Sequence, residues 1–574
     1  MRRSRIVILG VAIAIVVLWV IAIPPASAPL PQLPADLTAP VRGAVHIHTR
    51  RSDGGGTVEG VARAAAAAGL RFVVITDHGD GTRAPELPAY IGNVLAVDGV
   101  EISTDGGHVI ALGLPKAPYP LGGEARDVIE DVRRLGGFAI AAHPDSLKPE
   151  LSWTEWDSPF DGLEWLNGDS EWRDESAFEL VRVLFVYPVR PANALGLLFD
   201  RSDNVLRRWD EATRHRRVVA LAGADAHARI GVRGEDPLNA RLVVPLPSYD
   251  TVFRAFSIAL PQLNLTGDAA ADAGALLGEI RAGRLFSSID ALGSHPAFAF
   301  TATSGALRAT GGDTLDIKGP LRFDVVVQAP PDVEIALLRD GVRVLDARGP
   351  SLQYIAESGP GAYRVEVSMP NAPGRPPVPW IVSNPIYVGR QETGPAAASQ
   401  PPRAAQTTDV YADGPATNWT VEHSGESQAA IDVRRAVNGT QLQFRYALSG
   451  AASSHPFAAL VAPAGTSVAA NDRLTFSATA DRPMRLSIQV RAPGTTSDGE
   501  RWHRSIYLDE KPRDVSVFFD DMRPSGATRT PKPRLDEIRS VLFVVDTVNT
   551  ASGTAGQVML DNVRYERSGA DRQQ

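Results

Sequence analysis

The sequence predicts an α/β fold in its first half and all-β structure in its second, preceded by a transmembrane helix. Three observations carry this expectation. From Val41 to about Leu292, strand-like runs alternate with helical ones, a pattern that implies a parallel sheet closed into a barrel. After Ser294 the helical runs stop and short β-branched runs take over. At the start, Arg2, Arg3 and Arg5 precede an uncharged apolar run, Ile6 to Ile23.

The elements follow in order. The apolar run would span ~27 Å at helical rise, close to a ~30 Å hydrocarbon core. The basic side would stay cytoplasmic, and Pro24 and Pro25 end the helix. Ala26-Ser27-Ala28 resembles a signal-peptide cleavage site, so a cleaved, secreted form is the alternative to an anchor. Residues 24–40 are proline-rich and read as an extended spacer. Within the α/β region, Thr57–Ala68 is Ala-rich and helical and is closed by Gly69, while Arg71–Ile75 is strand-like. Glu124–Leu135 is helical and stops at Gly136-Gly137, before a strand at Phe138–Ala142. Asp203–His215 is helical and Val218–Ala222 strand-like; helix Ala275–Ala282 feeds strand Leu285–Ile289. Residues 294–390 read as a β-sandwich, with Arg339-Asp340-Gly341 as a hairpin turn. Residues 391–406 read as a linker, 407–567 as a second all-β domain and 568–574 as a tail.

Bulk properties exclude several classes. At 574 residues the chain is too long for one core. The net charge of -8 and pI near 5.8 give no basic field, so duplex nucleic acid is not an expected partner. No cysteine is present, which removes disulfides, thiolate metal sites and cysteine nucleophiles.

The chemistry is concentrated in short segments. They are His46-Ile47-His48 with Ser52-Asp53-Gly54, Thr76-Asp77-His78, Glu101, Gly107-His108, Ala142-His143-Pro144 and Asp225-Ala226-His227. Six of the eleven histidines fall there. Imidazole and carboxylate hold divalent transition metals, and carboxylates such as Glu101 and Asp225 can bridge two ions. Each motif sits at or just after a strand's C-terminal end, where barrel sites are built. A His-x-His pair splays to opposite faces within a strand, but both rings can turn onto one ion where the strand frays. Two or three ions close together would bind an oxyanion and activate water, so no side-chain nucleophile is needed. His46, His48, Asp53, His78, Glu101, His108, His143, Asp225 and His227 are therefore candidate ligands for two or three divalent ions (Mn, Zn or Fe). Asp77 is a candidate orienter of a ligand histidine. Arg229, with Arg50 and Arg51, could hold a phosphate. Trp153, Trp156, Trp165 and Trp172 either wall a pocket or pack a large loop.

At these residues the chain resembles the polymerase and histidinol phosphatase (PHP) superfamily, whose order is HxH-x4-D, DH, E, H, HP and DxH. The resemblance covers roughly 41–290 and fills all nine ligand positions. It implies a distorted (β/α)7 barrel holding up to three Mn, Zn or Fe ions. By motif, one ion would take His46, His48, Glu101 and Asp225, a second Glu101, His108 and His143, and a third Asp53, His78 and His227. Thr49-Arg50-Arg51 departs from the small polar residues the family often has there. The segment Pro379–Tyr387 looks like the β-sandwich following the barrel in a branch that includes carbamate and carboxylic ester hydrolases. Residues 407–567 resemble galactose-binding-like jelly rolls, through phrases such as Val558-Met559-Leu560-Asp561-Asn562-Val563-Arg564.

The resulting expectation is a membrane-anchored, extracytoplasmic metal-dependent phosphoesterase that uses a metal-bound hydroxide on phosphate mono- or diesters. Two alternatives stand beside it: a carboxylic or carbamate ester hydrolase, and an envelope- or glycan-binding protein with a vestigial barrel. Expected partners are a small-molecule or glycan-linked ester, the membrane through the N-terminal helix, and a polysaccharide on the jelly roll.

Overall fold

The first strands are short and almost wholly buried, and they set the frame of the site. β1 (Val41–Val45) pairs parallel with β2 (Phe72–Ile75), reached through α1 (Val58–Ala67). Thr57 caps α1 by accepting from the Gly60 N–H, and Gly69 turns the chain out with φ 81°. A computed structural model of the protein describes residues 22–232, 242–356, 359–390, 402–436, 439–450, 455–494 and 498–569.

A short edge strand, β3 (Ala89–Ile91), pairs antiparallel with β4 (Val94–Thr104), which itself runs parallel to β2. β5 (Gly107–Leu112) then folds straight back on β4 through the tight turn at Asp105-Gly106. The Thr104 hydroxyl closes that turn on the Gly107 carbonyl at 2.5 Å. α2 (Ala125–Arg134) leads to β6 (Phe138–Ala141), antiparallel to β5. β7 (Gly162–Asn167) and β8 (Val219–Gly223) continue in parallel from β6. Between them lie α3 (Ala177–Val186), α4 (Pro191–Gly196) and α5 (Asp203–Thr213). β9 (Ile230–Val232) and β10 (Leu242–Val244) form a small separate ribbon. α6 (Tyr249–Ala255), β11 (Ser257–Leu260), α7 (Ala269–Ala282) and β12 (Phe286–Ser288) complete the region.

The expectation of an α/β fold built on a (β/α)7 barrel is corrected: the described protein is mostly β, and its main sheet is mixed. The β4–β5 hairpin stands where a parallel repeat needs a crossover helix, and a two-residue turn can join only antiparallel strands. β11 runs antiparallel to both β1 and β12. The sheet then continues from β12 into strands Ile381–Ser383, Gly361–Ser368 and Ile386–Val388, making sixteen strands in all. Residues 294–390 thus share this sheet and add a four-stranded antiparallel one, in which Phe298–Ser304 alternates buried and half-buried positions.

The chain divides into two compact units, residues 1–116 with 124–395, and 117–123 with 396–574. The second unit holds two six-stranded antiparallel sheets. Their inward faces share one core, including Leu442, Phe444, Leu460, Ile488, Phe543 and Leu560. This is the jelly-roll-like arrangement expected there. The expected linker lies largely outside the described residues, and its end is strand Ala404–Tyr411.

The single-pass membrane anchor is also corrected. Among the described residues no helix is long and apolar enough to cross a membrane. The longest described helix in the first unit, α7, has 14 residues, about 21 Å of rise. The run Ile6–Ile23 lies outside the described residues except for Ala22 and Ile23. The proline-rich stretch does not stand off as a spacer: Ala28 bridges Gly293, the Ser27 hydroxyl donates to the Ala291 carbonyl, and the Gln328 amide donates to the Pro31 carbonyl.

Candidate metal centre

All nine donor residues expected from the sequence converge in the first unit. Most arrive at strand ends, and Asp53 lies in the loop between β1 and α1. His46 and His48 follow β1, His78 follows β2, Glu101 lies in β4, His108 in β5, His143 follows β6, and Asp225 and His227 follow β8. Left-handed backbone brings them together. φ is 68° at His46, 31° at His143 and 44° at Asp225, a region non-glycine residues rarely enter. Such residues each cost about 1–3 kcal/mol and persist where neighbours over-determine them. Here the chain leaving β8 is laced to the chain leaving β1. Ala224 N–H donates to the Val45 carbonyl at 2.8 Å, Ala226 N–H to His46 at 3.2 Å, and His48 N–H to Ala226 at 3.1 Å.

The strongest indication of a cation is a pair of buried nitrogens. His46 Nε2 and His48 Nε2 are buried and make no hydrogen bond. Each faces the same two carboxylate oxygens: Glu101 Oε2 at 3.2 and 3.1 Å, and Asp225 Oδ1 at 3.4 Å from both. Donors ~2.0–2.1 Å from one tetrahedral ion stand about 3.3 Å from each other. The four spacings therefore match one shared ion. Glu101 uses its other oxygen as well: Oε1 lies 2.9 Å from His108 Nδ1 and 2.8 Å from His143 Nε2. Its two oxygens thus face separate donor groups, the geometry of a bridging carboxylate. A third group gathers on Asp53, whose Oδ1 lies 3.3 Å from His48 Nδ1 and whose Oδ2 lies 3.2 Å from His227 Nε2 and 3.6 Å from His78 Nε2. His78 Nδ1 is also 3.3 Å from Glu101 Oε2. The His48 and His227 rings stack at 4.2 Å.

Electrostatics agree with that reading. Burial alone would lower the pKa of His46, yet Asp225, Glu164 and Glu101 raise it well above the ordinary value. His48 is raised likewise, by Asp225, Asp53 and Glu101 against burial. Burial opposes ionisation of Glu101 and Asp225, but the histidines hold both well below the usual carboxylate range. The cluster is a concentration of buried negative charge that draws positive charge, protons or metal ions, onto its histidines.

Other expected residues take definite places. Asp77 does not touch a ligand ring. It accepts from Thr49 N at 2.7 Å, the Thr49 hydroxyl at 2.7 Å, the Ser52 hydroxyl at 2.6 Å and Arg51 Nε at 3.1 Å, so it clamps the turn between His48 and Asp53. That turn is tight: a Cβ on Gly54 would sit 2.3 Å from the His48 carbonyl oxygen. Arg51 is also paired with Asp98 at 2.9 Å, and Arg50 is exposed and bound to the Gly55 carbonyl. Arg229 lines a cavity of about 610 Å³ that reaches seven of the nine donors, all but His46 and His48, together with Lys148, Asp169, Trp172 and Arg173. The tryptophans divide. Trp153 and Trp156 pack edge-on to Phe160 and Trp165 is buried, while Trp172 reaches the cavity.

Two residues carry the centre without having been singled out in the sequence. Glu164, fully buried in β7, holds His46 Nδ1 at 2.7 Å and accepts from His143 N at 2.7 Å and Asn167 Nδ2 at 2.8 Å. A carboxylate accepts only, so His46 Nδ1 carries a proton and Nε2 is the nitrogen that would face an ion. The signal was present: a glutamate inside the apolar run Gly162–Asn167 is costly unless partnered. Tyr249, in α6, donates its hydroxyl to the His48 carbonyl at 2.7 Å and accepts from Gly56 N at 3.1 Å. Nothing local in the sequence marks it.

No protein-family description matches this chain, and no curated protein does. Solved structures do. The family 11 carbohydrate-binding module of cellulosomal cellulase Lic26A-Cel5E of Clostridium thermocellum is 16% identical over 29% of this chain and 97% of its own, with a TM-score of 0.25. A family 30 carbohydrate-binding module is 10% identical over 30% of this chain and 92% of its own, at TM-score 0.23. An exo-beta-agarase is 14% identical over 29% of this chain and 26% of its own, at TM-score 0.21.

Proposed function

We propose that the first unit is a metal-dependent hydrolase of ester bonds, with phosphate esters as its preferred class. The observation that carries this reading is the convergence of two unbonded, buried histidine nitrogens on two carboxylate oxygens at one ion's spacing. His46, His48, Glu101 and Asp225 would hold one ion; Glu101, His108 and His143 a second; Asp53, His78 and His227 a third. Bound ions would supply Lewis acidity, activate water and neutralise charge on the leaving oxygen. The chain's residues do the rest. Glu164 keeps His46 in the coordinating tautomer, and Asp77 fixes the turn that carries Asp53. Lys148, Arg173 and Arg229 line the cavity, against Asp169 as the one acid beyond the donor set among the described lining residues. That positive balance suits an anionic ester better than a neutral carboxylic or carbamate ester.

The test uses the full chain, loaded with Mn or Zn, with metal counted by mass spectrometry. Phosphate monoester, phosphate diester and acetate esters of p-nitrophenol are compared as substrates. Two or three ions per chain with faster phosphoester turnover supports the reading. Less than one ion per chain overturns it, and faster acetate turnover moves the substrate to the neutral class. Asp225→Ala should lose both metal and turnover.

A second reading concerns residues 402–569. Their paired six-stranded sheets form a separate compact unit, which suits a polysaccharide-binding role alongside the hydrolase. Retention of the protein on insoluble polysaccharides, lost when this unit is removed, is the measurement that decides it.

A further inference from the structure

We infer that Trp172 and Arg173 form the specificity surface of the metal cavity, selecting an anionic ester whose alcohol side carries an aromatic ring. The inference rests on the hydrolase reading above and deepens it. The Arg173 guanidinium sits over the Trp172 indole, its carbon 4.3 Å from the ring centroid. Asp169 pins both: one oxygen accepts from Trp172 Nε1 at 2.9 Å, and the other accepts from Arg173 Nε at 2.7 Å and forms an ion pair with Nη2 at 2.7 Å. Asp169 is itself fixed. The Asn167 side-chain oxygen accepts the Asp169 and Ser170 N–H groups at 3.1 and 2.9 Å, and the Asn167 amide donates to Glu164. Glu164 in turn holds His46 and His143. One hydrogen-bonded chain therefore joins the stacked pair to two of the metal donors, so pair and donors keep a set geometry.

The chemistry names the ligand. Trp172 is the one aromatic side chain, apart from donor histidines, among the described residues lining the cavity. Leu151, Ile230, Leu246 and Val252 line it too, giving apolar room for a ring. Aromatic rings stack on indole and on guanidinium planes, worth about three- to tenfold in binding beyond the buried area. With Nε and Nη2 held by Asp169, Arg173 still has Nη1 to offer an anionic oxygen, and Lys148 adds a second cation. A ring attached to a phosphate satisfies both features at once.

Calorimetry of the Zn-loaded full chain with phenyl-, cyclohexyl- and methylphosphonate tests this without requiring turnover. The wild type should bind phenylphosphonate about tenfold more tightly than methylphosphonate, and more tightly than the cyclohexyl compound. Trp172→Phe should keep the preference, and Trp172→Leu should abolish it at unchanged metal content. Arg173→Ala, read in parallel, should weaken all three phosphonates and leave metal content unchanged. No phenyl preference in the wild type, or one that survives Trp172→Leu, overturns the inference. Failure of ester turnover with the preference intact would count against the hydrolase reading alone.

Discussion

Glu164→Gln changes no volume but turns one acceptor oxygen into a donor NH2. Three donors converge on the Glu164 carboxylate: His46 Nδ1, His143 N and Asn167 Nδ2, at 2.7, 2.7 and 2.8 Å. A glutamine cannot serve them all. With its oxygen toward His46, its NH2 meets the His143 backbone N–H and the Asn167 amide, donor against donor. Leaving such buried groups unsatisfied costs about 1–3 kcal/mol each. With its NH2 toward His46, the imidazole must place its proton on Nε2 and lose the lone pair aimed at Glu101 and Asp225. Either route weakens metal binding, by about 10–100-fold on the usual scale for such supporting carboxylates, or about 1.4–2.8 kcal/mol. Competition against a chromogenic chelator measures the affinity, and thermal melting with and without Zn gives an independent reading. The two melts separate the effect from simple misfolding. The loaded variant loses metal-linked stability in addition to the unsatisfied donors, so the metal-free protein should lose less stability than the loaded one. A variant that binds Zn within twofold of wild type would refute the claim that Glu164 sets the His46 tautomer.

Three further outcomes follow. Zn binding at pH 7 should release protons, because carboxylates raise His46, His48, His143 and His227 above 6.5 against the lowering by burial. Affinity should therefore rise with pH through those raised values and fall below them; calorimetry in buffers of different ionisation enthalpy that finds no net release would sink this. The metal-free protein should show the complementary trend, with histidine-derived stability complete below about 6.5 and lost as pH climbs through the folded-state values. Gly223→Ala should abolish metal binding and lower the melting temperature, since the new Cβ would sit 1.7 Å from Glu164 Oε1 in the core; wild-type metal content would contradict it. Tyr249→Phe should destabilise by about 1–2 kcal/mol, by removing the hydroxyl that donates to the His48 carbonyl and accepts from Gly56, read by denaturant melts in which an unchanged midpoint is the adverse result.

Most of the donor residues were legible because they are polar groups at the end of an apolar strand, and that signal is local. His46 and His48 follow Val41–Val45, and Asp225 follows Val219–Gly223. Sheet direction was not legible. The same alternation of apolar runs and helices suits a parallel repeat or a mixed sheet, and the difference lies in one turn, Asp105-Gly106, and in the pairing of β11 with both β1 and β12. Pairing partners are set by contacts far apart in sequence, such as Val41 with Leu260. Glu164 and Tyr249 were missed for a related reason. Each acts on a residue remote in sequence, His46 and His48, so neither forms a motif with its own neighbours.

The strained backbone and the unbonded nitrogens have a common origin, and it separates two kinds of damage. Left-handed φ at His46 and Asp225 is held by backbone bonds between the ends of β1 and β8, none of which involves a donor side chain. Those bonds do not depend on the donor side chains, so the backbone by itself gathers the donors. Removing one donor side chain leaves those backbone bonds in place, which is why Asp225→Ala should lose metal while the sheet stays folded. Gly223 is different. It lies within β8, against the carboxylate that orders His46, and a methyl group there must displace either the strand or Glu164. A donor substitution is thus a binding defect, and a substitution behind the donors is a folding defect that becomes a binding defect.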